Sequence, residues 1–178
     1  MGIELYTERL HMRLLRKSDL EHIHELNSLP ETDAFNTLGI SANIDATKLI
    51  MQGWMEEYRT SPVKAYTFVI EHKERRTFVG MIGLRLGKPT YKIGEVWYKL
   101  HVREWGKGYA TEALKRLIEY GFVNLLLHRI EAGCAAENIG SVRVLEKAGM
   151  KREGMRRKAL PLKTGWADNY IYGILEDD

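Results

Sequence analysis

The chain has 178 residues, of which 44% are hydrophobic and 29% are charged, and its formal net charge is +3. This length suits one domain with a full core, and we expect a single domain over residues 1–178. The small net charge, with both signs interspersed, argues against a nucleic-acid-binding surface, so we expect no direct nucleic-acid partner. No apolar run approaches the ~20 residues that a membrane-spanning helix needs, so we expect no membrane partner.

The cysteine and histidine content predicts neither a disulfide nor a metal site. Cys134 is the single cysteine, which fits a reducing compartment, and its apolar surroundings favour an inert buried thiol over a nucleophile. His22 and His24 have no further ligands at a suggestive spacing, so we expect no metal. The first residues lack a basic region followed by an apolar stretch, and we therefore expect a cytoplasmic protein without a signal peptide.

Hydrophobic periodicity and capping residues divide the first half of the chain into strands and helices. The predicted elements are a strand over residues 8–15, a helix from a cap at Ser18 or Asp19 to about Ser28, a loop over residues 29–43, a helix from Asp45 to about Arg59, and strands over residues 65–71 and 77–86 joined by a charged turn.

The second half of the chain alternates strands with helices before two closing strands. The predicted elements are a strand over residues 92–100, a helix over residues 110–123, a strand over residues 127–135, a helix from Asn138 to about Ala148 with Gly149 after it, and strands over residues 151–158 and 166–175. This order predicts an α/β (α+β) fold, with a mixed, mostly antiparallel sheet and helices on both faces.

The most informative segment is the turn between the strand over residues 92–100 and the helix that follows it. Gly106 and Gly108 let backbone N–H groups converge there, and the helix N-terminus adds unpaired donors and the positive end of the helix dipole. Arg103 and Lys107 can add positive charge. The turn therefore predicts an anion site, most naturally for a phosphate or pyrophosphate.

The spacing of the turn excludes two common phosphate-binding loops. A dinucleotide-binding fingerprint needs a third glycine where this chain has Thr111, and a Walker A loop needs glycine at the position of His101 and Ser or Thr at that of Gly108. A glycine turn that merely connects a strand to a helix is the simpler alternative. A second motif, Asn138-x-x-Ser141, opens the next helix, where Asn138 is expected to cap the helix.

Both motifs resemble those of the GNAT superfamily of N-acetyltransferases. Arg103-x-x-Gly106-x-Gly108 resembles its acetyl-CoA pyrophosphate loop, and the string WGKGYATEAL is closer to the branch of ribosomal-protein (RimJ/RimL-like) N-acetyltransferases. The resemblance implies the acyl-CoA N-acyltransferase fold, acetyl-CoA as co-substrate and transfer to a primary amine by direct attack in a ternary complex. It assigns cofactor binding to Leu100, Val102, Arg103, Trp105, Gly106, Lys107, Gly108, Tyr109, Ala110, Thr111, Asn138 and Ser141.

The catalytic residues depart from the pattern common in this superfamily. Many members carry a tyrosine general acid seven residues after the asparagine, where this chain has Leu145. Ser141 is then the candidate that hydrogen-bonds the leaving thiolate, aided by the helix N-terminus, and a sensing module that binds acetyl-CoA without turnover is the alternative. Glu95 is the candidate base, with Glu131 as second choice, although an ordinary salt-bridged strand carboxylate would also fit Glu95.

The acceptor amine is the part of the function on which the sequence is least specific. By resemblance, the acceptor pocket is built from residues 35–58 and 160–168, where Trp54, Tyr58 and Trp166 could line it. The resemblance implies a protein N-terminus or a small amine such as a polyamine, an amino acid or an antibiotic, and is compatible with a homodimer. A basic cluster over residues 152–158 suggests a third hypothesis, an RNA- or ribosome-associated adaptor, although a solvated strand explains the cluster as well.

Overall fold

The computed structural model describes residues 2–178, which form one eight-stranded sheet with the strand order β1-β2-β3-β4-β5-β6-β8-β7. Neighbouring strands are antiparallel except for the parallel pair β5 and β6, which confirms the predicted mixed sheet. The strands are β1 (Glu4–Tyr6), β2 (Leu10–Leu14), β3 (Ala65–His72), β4 (Phe78–Leu86), β5 (Ile93–Leu100), β6 (Arg129–Ala135), β7 (Lys151–Leu162) and β8 (Gly165–Leu175).

Helices cover both faces of this sheet, as predicted. They are α1 (Leu20–Ser28), α2 (Pro30–Asp33), α3 (Ile44–Arg59), α4 (Tyr109–Val123) and α5 (Ile139–Lys147). Because side chains alternate along a strand, Val69 of β3 packs with α1 and α3, whereas Phe68 packs into the larger core under α4. The sheet therefore has two cores, one on the α1/α3 face and a larger one on the α4/α5 face.

The parallel pair at the centre of the sheet separates part-way along its length. Strands β5 and β6 are paired only where Ile93, Gly94 and Glu95 face residues 129–131. Beyond that point β5 stays paired with β4 as far as Leu100, and β6 stays paired with β8 as far as Ala135. The two halves of the sheet thus diverge around an opening between residues 96–100 and 132–135, which we call the β5–β6 cleft.

Two short elements lie outside the predicted ones. Strand β1 precedes the predicted first strand, and three residues are too few to show alternation; its pairing with β2 makes it a strand. Helix α2 lies in the predicted loop, where Pro30 occupies the first helical turn. Strand β7 runs beyond residue 158 to Leu162, and because almost all of it is exposed, no buried face marks its end in the sequence.

Candidate active site

The turn before α4 presents a row of free backbone donors. Gly106 and Gly108 have φ angles of 73° and 82°, a left-handed conformation that glycine adopts without steric cost. Within residues 2–178, the N–H groups of residues 106–111 donate to no protein acceptor. Six consecutive free donors at a helix N-terminus are suited to binding an anion, and the phosphate site at the two glycines stays a prediction.

An arginine far away in sequence holds this turn in place. Arg9 donates to the Lys107 carbonyl at 3.0 Å and to the Glu112 carboxylate at 2.7 Å, and its guanidinium stacks over the Tyr109 ring at 4.6 Å from the centroid. Burial by itself would raise the pKa of Glu112, but hydrogen bonds from Thr7 and Arg9 outweigh it and lower that pKa. Arg9 therefore ties the anion site to the β1–β2 turn.

The side chains of the loop differ in the roles they can take. Arg103 and Trp105 are exposed, and the Trp105 indole donates to the Leu100 carbonyl at 2.9 Å. Lys107 forms an ion pair with Glu104 at 3.0 Å. Tyr109 turns its ring into the core, edge-on to His72, so only its backbone faces the anion site. Val102, Ala110 and Thr111 lie along the same loop and first turn of α4.

The N-terminus of α5 is capped as predicted and carries a hydroxyl pair. Asn138 Oδ1 accepts from the Ser141 backbone N–H at 3.1 Å. The Ser141 hydroxyl lies 2.7 Å from the hydroxyl of Tyr98, which reaches it from β5. Leu145, seven residues after Asn138, is only 1% exposed and packs in the core. A tyrosine is thus present at this helix end, but strand β5 supplies it.

Burial sets the protonation of the groups beside Ser141. It raises the pKa of the Tyr98 hydroxyl far above its usual range, and the hydrogen bond to Ser141 offsets this only in part. Burial also raises the pKa of the neighbouring Cys134 thiol. Tyr98 therefore stays a neutral donor at physiological pH, and Cys134 has the character of the inert thiol that the sequence predicts.

The edge of β5 presents backbone donors to the cleft. The His101 N–H donates to the Val79 carbonyl of β4 at 2.9 Å. Because N–H groups alternate between the two edges of a strand, the N–H of Leu100 points away from β4 and towards the β5–β6 cleft. This is the backbone region, around Leu100 to Val102, in which we expect an oxyanion donor.

Comparisons with known proteins agree with this geometry. Residues 9–151 match the family model described as "Acetyltransferase (GNAT) domain". The chain belongs to the GNAT acetyltransferase family. It is 32% identical to the uncharacterized N-acetyltransferase YnaD of Bacillus subtilis, over 99% of both chains. A GNAT-family acetyltransferase of Bacillus anthracis has the same fold, with a TM-score of 0.85, 30% identity and coverage of 99% of this chain and 100% of its own.

A solved structure from the predicted branch shares the fold as well. RimJ of Mycobacterium smegmatis, in complex with CoA-disulfide, superimposes with a TM-score of 0.86 at 22% identity, over 99% of this chain and 87% of its own. The family match and the relative YnaD show that the protein is an N-acetyltransferase, and the predicted superfamily, fold and enzyme class are confirmed. No helix among residues 2–178 is long and apolar enough to cross a membrane, and those residues contain no cluster of three or more metal-binding side chains.

The two carboxylates predicted as candidate bases lie together at the closed end of the cleft. Glu95 and Glu131 face each other in the last paired row of β5 and β6. Glu131 accepts from Arg129 at 2.7 Å, whereas Glu95 is exposed. Alternation along β5 places Glu95 on the face opposite Tyr98, which is the α1/α3 face of this acetyltransferase.

The aromatic residues predicted to line the acceptor pocket do not lie together. Trp54 of α3 packs against Trp97 of β5 with ring centroids 5.6 Å apart, close to the cleft on the α1/α3 face. Tyr58 packs against Tyr66 beside the larger core. Trp166 is 66% exposed near the β7–β8 turn. Of the three, Trp54 is the one placed beside β5 next to the cleft.

Proposed function

We propose that this acetyltransferase moves the acetyl group of acetyl-CoA to a primary amine by direct attack in a ternary complex. The observation that carries the proposal is the arrangement around the β5–β6 cleft. On the α4/α5 face, two helix N-termini offer a row of free N–H donors and the Ser141–Tyr98 hydroxyl pair. On the α1/α3 face, polar and aromatic side chains border the same cleft, so cofactor and acceptor can approach from opposite faces.

The cofactor would span the distance between the two helix ends. The pyrophosphate would accept hydrogen bonds from the N–H groups of residues 106–111, with charge from Arg103 and Lys107. The pantetheine arm would follow the free edge of β5 into the cleft, past Leu100 and Asn138. This places the thioester near Ser141. CoA-disulfide bound to RimJ of M. smegmatis, which shares this fold, supports such a cofactor site.

The chemistry follows from the groups around that thioester. A neutral amine nitrogen attacks the carbonyl carbon and forms the C–N bond, and the oxygen becomes an oxyanion that the Leu100 N–H can stabilise. The C–S bond then breaks, and the nitrogen passes its extra proton to water, either directly or through a base. Ser141 would donate a hydrogen bond to the leaving sulfur, with Tyr98 donating to Ser141 in turn. The α5 N-terminus stabilises the thiolate, which leaves unprotonated and takes its proton from water.

The pKa of the acceptor amine determines how much help the enzyme must give in removing its proton. An α-amine has a pKa of about 7.7–8.0, so roughly a tenth of it is already neutral near pH 7, whereas a lysine-type amine with a pKa of about 10.4 is almost wholly protonated there. We infer that the acceptor is a protein N-terminus or a small primary amine that enters from the α1/α3 face. The shared fold with RimJ, a member of the ribosomal-protein branch, supports a protein N-terminus as the acceptor.

A CoA-release assay with purified protein tests this function. The protein is incubated with acetyl-CoA and a panel of N-terminal peptides, polyamines, amino acids and lysine peptides, and both free CoA and acetylated product are measured. We expect stoichiometric CoA and product with at least one acceptor class. A reaction without amine controls for thioester hydrolysis. CoA binding without acetylation of any panel member would overturn the enzyme mechanism and leave a binding module.

A further inference from the structure

A buried polar cluster lies on the acceptor side of the cleft, on the face opposite Ser141. Lys99 follows Tyr98 in β5, so alternation directs its side chain towards α1 and α2. Its ammonium nitrogen lies 2.9 Å from Asn27 Oδ1, in the last turn of α1. The neighbouring strand residue on β4 is Met81, which carries no charge. Lys99 is adjacent to Leu100, whose N–H faces the cleft.

Two groups in this cluster have unused hydrogen-bonding capacity. Asn27 is 1% exposed, and its Nδ2 has no hydrogen-bond partner within residues 2–178. Asp33 of α2 is 6% exposed, and its Oδ1 likewise lacks a partner in that part of the chain. Buried polar atoms in proteins are nearly always hydrogen-bonded, and a buried carboxylate needs a cation or donors. The Asn27 amide nitrogen still needs an acceptor and the Asp33 carboxylate still needs a donor or a cation, so the cluster is suited to a polar ligand that carries an amine with an acceptor atom beside it.

We propose that Lys99 is the general base that accepts the proton from the attacking amine, which rests on the proposed acetyl transfer. Asn27 would orient the Lys99 nitrogen, and Asp33 would stabilise the positive charge before and after the transfer. In the step itself, the neutral Lys99 amine takes a proton from the acceptor nitrogen as the C–N bond forms. Lys99 then becomes an ammonium and passes the proton to water. The departing thiolate is stabilised by Ser141 and the α5 N-terminus on the other face of the sheet.

The electrostatic surroundings of Lys99 fit this role. Burial lowers the pKa of Lys99 to about 8, and the Asp33 carboxylate opposes that shift only in part. Asp33 is the charged group facing Lys99 from α2, Asn27 from α1 is neutral, and nearby Glu25 is engaged with His101 at 3.1 Å. A base is most effective when its pKa lies near the working pH, and this value also matches an α-amine. Glu95, four residues earlier on the same face of β5, is exposed and lies farther into the closed end of the cleft.

The experiment compares Lys99→Met and Lys99→Arg with the wild type and with Glu95→Gln. Because the active form of Lys99 is neutral, wild-type kcat should rise with pH through the pKa of Lys99 and level off above it. We expect both Lys99 variants to lose about 100-fold or more in kcat, in the range typical of a general base, and to lose that pH limb. Imidazole or a tertiary amine should restore part of the Lys99→Met rate. Glu95→Gln should keep the limb.

A second measurement does not depend on turnover. The side-chain signals of ¹³C-labelled lysine, titrated by NMR in the wild type and in Lys99→Arg, give the pKa of Lys99 directly. An ordinary pKa of about 10.4 would overturn the base assignment even in an active enzyme. So would a kcat within about threefold of the wild type in both folded variants. A wild type that acetylates no amine would instead refute the proposed function, whatever the titration shows.

Discussion

Tyr98 and Ser141, two residues 43 positions apart in sequence, form one hydrogen-bonded pair of hydroxyls. When Tyr98 donates to the Ser141 oxygen, the Ser141 hydroxyl hydrogen is left free to point elsewhere. Tyr98 is suited to do so because burial keeps it protonated. Leu145 is buried in the core and has no side-chain donor, so it cannot hydrogen-bond the sulfur. We therefore expect this pair to serve the leaving sulfur.

Removing either hydroxyl should slow the reaction and leave cofactor binding largely intact. We expect Ser141→Ala to lower kcat by about 10- to 100-fold, since hydrogen bonds to charged groups contribute about 1.5–3 kcal/mol. Tyr98→Phe should cost less, and the double variant should cost no more than Ser141→Ala, because the two act in series. Steady-state kinetics of the three variants measure this. Cys134→Ala, which removes a neighbouring thiol and leaves both hydroxyls in place, shows how far packing around Ser141 contributes. Strictly additive losses would contradict the serial arrangement.

The residues that sequence reasoning identified are those whose signal is local. Gly106, Gly108 and Asn138 are recognisable because turn and cap chemistry depends on the next few residues of the chain. Arg9 and Tyr98 are not recognisable in the same way, because their partners are brought close only by sheet pairing. Alternation along β5 could have placed Tyr98 on the α5 face, but nothing in the sequence shows that Ser141 lies within its reach.

At the scale of elements, the turn between β5 and α4 depends on its backbone conformation as much as on the chemistry of its side chains. Its left-handed glycines turn consecutive N–H groups outward, and Arg9 fixes the turn from the other side. A side chain at Gly108 would be strained at its φ angle of 82° and would meet Arg9 Nη2 at 3.4 Å. The anion site therefore depends on the absence of a Cβ at this residue.

Gly108→Val should accordingly weaken CoA binding more than it weakens the fold. We expect a loss of more than about tenfold in CoA affinity, measured by calorimetry, because each 1.4 kcal/mol lost from the backbone contacts is tenfold. Gly39→Val is the matched control, since Gly39 has a φ angle of 79° and no atom within 4 Å of its added Cβ. It should lose similar stability in thermal denaturation and keep its CoA affinity. Equal CoA affinity in both folded variants would refute the site.

A helix or strand was predictable from the sequence where its buried apolar residues recur with a regular period. Helix α4 and the strand β6 show clear apolar patterns, and both are present close to their predicted bounds. Strand β1 and helix α2 have too few residues for a period, and they exist because β2 and α1 give them partners. The divergence of β5 from β6, on which the proposed site depends, has no recognisable signal in the sequence of either strand.

At the scale of the whole molecule, the cleft divides the sheet into two halves. Strands β1 to β5 lie on one side and β6 to β8 on the other, joined in the sheet by the short paired stretch of β5 and β6. The α4 N-terminus follows β5, and the α5 N-terminus follows β6. A ligand held at both helix ends therefore bridges the two halves, and a ligand held at one end does not.

Hydrogen exchange can separate these two cases. With CoA at about 100 times its dissociation constant, the native state should gain about 2.7 kcal/mol, so global exchange should slow. We expect CoA to protect the amides of residues 106–111 and also those of the α5 N-terminus, beginning at Ile139, when exchange is followed by mass spectrometry. ADP, which has the pyrophosphate but no pantetheine arm, should protect only the first set. CoA protection confined to residues 106–111 would mean that the thioester end does not reach Ser141, which would contradict the proposed placement of the reaction.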